Sequence, residues 1–133
     1  LIRLPAVLGS GAHQTFLPRL VESIKTFKPF QTHKFSSMFN HIVHVDDLCN
    51  FLINISKTNS SSLSQVGSPD PISIQMIIQQ ISEYFKISDN LIISGEEVSG
   101  PIDIAVALSM GFKSSNTSDL INQMLINNDK IMQ

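Results

Sequence analysis

The chain has 133 residues, 42% hydrophobic and 15% charged, with nine basic against eleven acidic side chains for a formal charge of -2. That length supplies one core, the composition is globular rather than disordered, and the small net charge gives no basis for nucleic-acid binding. No apolar run approaches the roughly 20 residues a membrane span needs, and the opening residues lack a signal peptide's apolar centre, so a soluble cytoplasmic protein is expected.

Residues 1–8 begin without a methionine on Leu-Ile-Arg-Leu-Pro-Ala-Val-Leu. This apolar run suits a strand buried on both faces of a parallel sheet. Such a strand needs partners on both edges for its N–H and C=O groups, so the expectation is a preceding sheet upstream of Leu1. The glycine loop Gly9-Ser10-Gly11 follows, then a helix capped by Thr15 with Phe16, Leu17, Leu20, Val21, Ile24 and Phe27 at helical spacing and Pro18 in its first turn. Residues 28–40 read as irregular. Ile42 to Val45 form a short β-branched strand, and Asp46 or Asp47 caps a helix carrying Leu48, Phe51, Leu52 and Ile55. Cys49 has no partner for a disulfide and reads as a small buried residue of that helix. The serine-rich residues 56–62 form a surface loop.

Residues 63–66 are strand-like, and a turn through Gly67, Pro69 and Pro71 leads to Ser73, the cap of a helix with Ile74, Ile77, Ile78, Ile81 and Phe85 in one stripe. Residues 91–93 are a further strand. Asp103 starts a helix that stops at Gly111, and Thr117 or Ser118 starts the last, with Leu120, Ile121, Met124 and Leu125 inward. There is no solenoid repeat.

Little catalytic chemistry is visible. Gly9-Ser10-Gly11 lies between a strand and a helix, but Gln14 stands where a dinucleotide fingerprint needs its third glycine, so a plain turn is the simpler reading. His41 and His44 are three apart on a strand and point to opposite faces, which argues against one shared metal ion; His44 and Asp46 could share a face and hydrogen-bond. No Gly-x-Ser-x-Gly elbow is present. The only tyrosine, Tyr84, has Ser88 rather than lysine one turn later, so no cation is there to lower its pKa and it reads as a packing residue. Residues 1–45 hold Arg3, Arg19, Lys25, Lys28 and Lys34 against Glu22 alone, a bias that suits an anionic ligand such as a pyrophosphate and equally suits solvated faces.

The order of segments resembles the last third of the extended short-chain dehydrogenase/reductase family, also called the NAD-dependent epimerase/dehydratase family. Arg3-Leu4-Pro5-Ala6-Val7-Leu8-Gly9 is similar to its Arg-Pro-x-Asn-Val-Tyr-Gly strand, and His41-Ile42-Val43-His44-Val45-Asp46-Asp47-Leu48 to the segment that returns the chain to the substrate lobe. Val66-Gly67-Ser68-Pro69-Asp70-Pro71-Ile72-Ser73-Ile74 is similar to its glycine, proline and serine lead into a helix, and residues 103–112 resemble its Asp-x-x-x-x-x-x-Leu-Gly-Phe close. The resemblance implies an α/β fold, the C-terminal part of an extended Rossmann-type dehydrogenase with few short strands and about five helices. It implies that residues 1–133 form a single substrate-side lobe with the last strands of the Rossmann-type domain. The phosphate loop and the catalytic Tyr-x-x-x-Lys pair would lie upstream, so no catalytic residue is expected in the chain.

By the same resemblance Leu4 and Pro5 fall at the nicotinamide of NAD or NADP, while Ala6 and Asn40 fall at the substrate wall, to which the loop residue His13 is added as a further candidate. The implied partner is a small molecule, in many members a nucleotide sugar, and a homodimer would form through the domain not represented. Two departures bear on the substrate. Ala6 replaces a hydrogen-bonding asparagine, and Asn40 stands near an arginine that some members use for the substrate diphosphate; neutral amide cannot replace a bidentate guanidinium. The competing readings are a non-catalytic α/β binding or dimerisation module, and a nucleotide-binding domain using Gly9 and Gly11.

Overall fold

A single β-ribbon divides the apolar interior in two. In β2 (Ala6–Leu8) and β5 (Ile42–His44), paired in parallel with Ala6 opposite Ile42 and Leu8 opposite His44, neighbouring side chains point to opposite faces. Ile42 and Val43, both fully buried, therefore enter different cores. The computed structural model describes residues 1–12, 15–59, 61–88 and 93–131.

The larger core gathers α1 (Phe16–Thr26), α3 (Ile74–Phe85) and α5 (Thr117–Ile131) on the Ile42 face. Leu17, Leu20, Val21 and Ile24 come from α1, Ile74, Ile77 and Ile81 from α3, and Leu120, Ile121, Met124 and Leu125 from α5. These are the apolar stripes expected from 3.6-residue periodicity, and each fully buried Leu or Ile contributes roughly 1.5–3 kcal/mol. The smaller core lies on the Val43 face, where Leu48 and Phe51 of α2 (Val45–Ile55) meet Val66, Phe112 and Ala107 of α4 (Ala105–Ser109). The Phe51 and Phe112 rings stand edge to face at 5.2 Å.

Three further two-stranded ribbons complete the described strands. β1 (Ile2–Arg3) pairs in parallel with β6 (Ser64–Gln65), β3 (Phe30–Gln31) in parallel with β8 (Ile93–Ser94), and β4 (Met38–Phe39) antiparallel with β7 (Ile72–Ser73). Thus the opening run is two short strands rather than one. Pro5 has no N–H to donate and lies at the break, and Arg3 and Leu4 are exposed while Leu8 is buried. The irregular reading of residues 28–40 gives way to β3 and β4, and of residues 91–93 only Ile93 lies among the described residues.

Several local expectations meet a different partner. His44, not Asp46 or Asp47, caps α2: its Nδ1 accepts the Asp46 N–H at 3.2 Å. Cys49 is exposed, because Leu48 and Phe51 define the inward face and leave Cys49, Leu52 and Ile53 outside. Phe27 is the αL residue closing α1, with φ 54°, and its ring is exposed rather than inward. Asn116 accepts the Asp119 N–H at 2.8 Å and so supplies the cap assigned to Thr117 or Ser118. Ser73 caps α3 as expected, accepting from Met76 N–H, and Gly111 closes α4 at φ 87°.

Candidate functional site

The β2–β5 ladder sets Ala6 opposite Ile42, with Leu4 and Pro5 just before it in the chain. The Ala6 N–H donates to the His41 carbonyl at 3.1 Å, and its methyl packs against the larger core. Leu4 is 55% exposed and Pro5 partly so, giving an uncharged apolar surface next to the ladder. His13 lies outside the described residues.

Asn40 is 1% exposed and fully engaged within the fold. Its Nδ2 donates to Ile102 O at 3.0 Å and its Oδ1 accepts the Ile102 N–H at 2.7 Å. Its carbonyl accepts from Ile42 N–H and Ser68 N–H. A side chain at Gly67 would bring Cβ to 2.8 Å from that same carbonyl, which is why the turn needs glycine there.

The Asn40 amide is the last of a series of fasteners holding residues 95–102 as a strap along residues 32–40. Lys34 N–H donates to Glu97 O at 2.7 Å, and Ser37 Oγ, itself buried, accepts the Ser99 N–H at 3.0 Å. At the strap's start a Cβ on Gly95 would run into the carbonyl oxygens of Thr32 and His33. Between strap and helix lies a cleft of about 530 Å³, walled by Phe16, Gln31, Thr32 and His33 on one side and Glu96 and Glu97 on the other.

Aromatic rings back this cleft. Phe16 contacts Phe30 at 5.7 Å and Phe39 at 5.2 Å, and Phe39 contacts the His41 imidazole at 5.4 Å. Burial, with a smaller contribution from nearby His33, lowers the His41 pKa and favours the neutral ring. Thr32 Oγ1 is buried without a hydrogen-bond partner. The cleft therefore offers the Phe16 ring, the Gln31 amide and an acidic rim. The basic bias of residues 1–45 is dispersed: Arg19 lies 6.0 Å from the Phe30 ring and Lys25 5.0 Å from the Phe85 ring. The acidic rim and residues 31–33 escaped the sequence reading because they sit in stretches with no hydrophobic period.

The other groups weighed from sequence separate here. His44 and Asp46 do meet, through the capping hydrogen bond and a 3.5 Å Nδ1 to Oδ2 approach, but the carboxylate is 81% exposed and the approach contributes little. No group of three or more metal-ligating side chains occurs among the described residues. The turn after β2 closes when Ala12 N–H donates to Gly9 O, and α1 starts only at Phe16, so the glycines do not open directly into a helix N-terminus as a phosphate-binding turn does. Tyr84 donates to Asp129 Oδ2 at 2.7 Å and ties α3 to α5, a packing role.

No family model matches the sequence, and no curated protein does. Solved structures match its fold closely. MoeE5 in complex with UDP-glucose and NAD superposes with a TM-score of 0.79 at 15% identity, covering 99% of this chain and 47% of that one. UDP-glucose 4-epimerase from Thermotoga maritima, with UDP-glucose, gives 0.75 at 12% identity over 99% and 46%. UDP-glucuronic acid 4-epimerase from Bacillus cereus, with NAD, gives 0.75 at 15% over 99% and 45%. The chain has the fold of the C-terminal portion of an extended, Rossmann-type short-chain dehydrogenase/reductase. It spans just under half the length of the proteins it matches, and no helix among the described residues is long and apolar enough to cross a membrane.

Proposed function

We propose that the chain is the substrate-binding portion of an NAD(P)-dependent sugar epimerase, dehydratase or reductase, with the cofactor-binding half supplied by residues outside it. The observation that carries this reading is the superposition of nearly the whole chain on proteins, two of them sugar epimerases, whose structures hold NAD or a UDP-sugar. Leu4 and Pro5 offer apolar surface of the kind that lies against a nicotinamide ring. Neither side chain carries a donor for phosphate. The cofactor, when bound, supplies the hydride acceptor. Ala6 belongs to the substrate wall, and Asn40 bears on it through the strap it holds.

A non-catalytic binding module is the second reading, favoured by two features. Ala6 has no hydrogen-bonding side chain, and both polar atoms of the Asn40 amide are engaged with Ile102. The test is to incubate the protein carrying this chain with NAD or NADP and UDP-glucose or UDP-glucuronic acid, following the sugar by NMR. Conversion of the sugar supports the enzyme. Cofactor or sugar binding without conversion supports the module, and absence of both overturns the first reading.

A further inference from the structure

A separate cavity of about 270 Å³ opens where β2 and β5 end. The carboxyl ends of adjacent parallel strands are where α/β folds leave a crevice, and here the turn after β2 forms one side, His44 another and a face of α5 the third. Leu8, Leu120 and Met124, each under 9% exposed, supply apolar surface. Gln123, Asn127 and Asn128 add three primary amides to the lining, Gln123 and Asn127 one helical turn apart.

Two features define what this cavity can hold. First, among the described residues none that lines it is Asp, Glu, Lys or Arg, so an ion entering there would lose water without gaining a counter-charge from them. Second, the His44 ring is oriented by its capping role. Nδ1 accepts the Asp46 N–H, so the neutral ring carries its proton on Nε2 and has a donor to offer. A primary amide offers a donor and an acceptor in one plane, and a carboxamide partner matches it at both points. The cavity is a little under twice the ~150 Å³ of an apolar cavity known to accept benzene.

We propose that this cavity binds an uncharged, single-ring carboxamide, its ring against Leu8, Leu120 and Met124 and its amide edge toward Gln123, Asn127 and His44. The inference does not rest on the dehydrogenase reading. Benzamide and its charged isostere benzoate are suitable probes, titrated into the isotope-labelled protein carrying this chain and followed by NMR at the Gly11 amide, the His44 imidazole and the Asn127 side chain. Benzamide, with few atoms, binds in the ~1 mM range. Benzoate binds at least tenfold more weakly, and Asn127→Ala or Gln123→Ala weakens benzamide about fivefold, the net effect of one hydrogen bond. Both positions are exposed, so the variants keep the fold, which their amide spectra check. Equal binding of benzoate, shifts confined to other regions, or wild-type affinity in both variants overturns the assignment. The readout is local to His44 and Asn127, so failure of cofactor binding elsewhere leaves it intact.

Discussion

Replacing Asn40 with alanine isolates the fastener that holds the strap. The substitution removes one donor and one acceptor from the backbone of Ile102, at 3.0 and 2.7 Å, and leaves that N–H and C=O without protein partners. An orphaned buried group costs about 1–3 kcal/mol; Ile102 is only partly buried, so water relieves some of this and the pair costs roughly 2–3 kcal/mol. If the strap opens by itself, its open population rises roughly 30- to 150-fold, which native-state hydrogen exchange reads at the Ile102 and Ser99 amides. If the loss spreads through the whole fold, calorimetry records a Tm lower by about 6–12 °C. Asn40→Asp separates hydrogen bonding from volume. It keeps the acceptor, loses the donor, and sets a buried carboxylate beside the Ile102 carbonyl, so it also loosens the strap at neutral pH. Burial raises the pKa of that carboxyl, and as pH falls through the raised value the protonated group regains a donor and the deficit relative to wild type shrinks. Exchange at Ile102 and Ser99 within about threefold of wild type in Asn40→Ala, together with an unshifted Tm, would refute the argument.

Other consequences are equally measurable. The lowered His41 pKa means the unfolded state binds the extra proton first, so stability is lost as pH drops below about 6.5; urea midpoints for His41→Gln should show a shallower acid slope, and an unchanged slope contradicts this. The hydrogen bond to Asp129, chiefly, raises the Tyr84 pKa. Its contribution is intact at neutral pH and fades as pH rises past about 10 through the folded value, a dependence that Tyr84→Phe should remove in alkaline melts. Thr117, fully buried, donates to Pro69 O at 2.9 Å and lies 2.6 Å from Ser68 Oγ; Thr117→Val is expected to cost roughly 1–3 kcal/mol by denaturant titration. Gly95→Ala has no room for its methyl and should displace the strap, seen as faster exchange at the Lys34 amide, whose acceptor is Glu97 O.

Elements built on apolar periodicity were legible in the sequence. The stripes of α1, α3 and α5, the short strand before α2 and the Ser73 cap all follow from local spacing and hydrogen-bonding chemistry. Cap identity failed where two neighbours competed, as with His44 against Asp46, because the winner depends on which ring or carboxylate the strand aims at the helix. Cys49 failed because a helix face is decided by what packs on it, and Leu48 and Phe51 took the inward side. The cleft was the least legible part. Asn40 gained its role from a backbone far along the chain, and two-residue strands such as β3 carry no period to detect.

The ladders described for this chain share a kinetic consequence. Each joins strands remote in sequence, Ile2 with Ser64, Ala6 with Ile42, Phe30 with Ile93 and Met38 with Ser73, and none is a hairpin. Large loops must close before any of these pairings returns energy, whereas the helices form from local contacts alone. Helix assembly therefore precedes strand registry during refolding, and in a nascent chain the ladders become possible one after another, the first once His44 has emerged and the last only when Ser94 has.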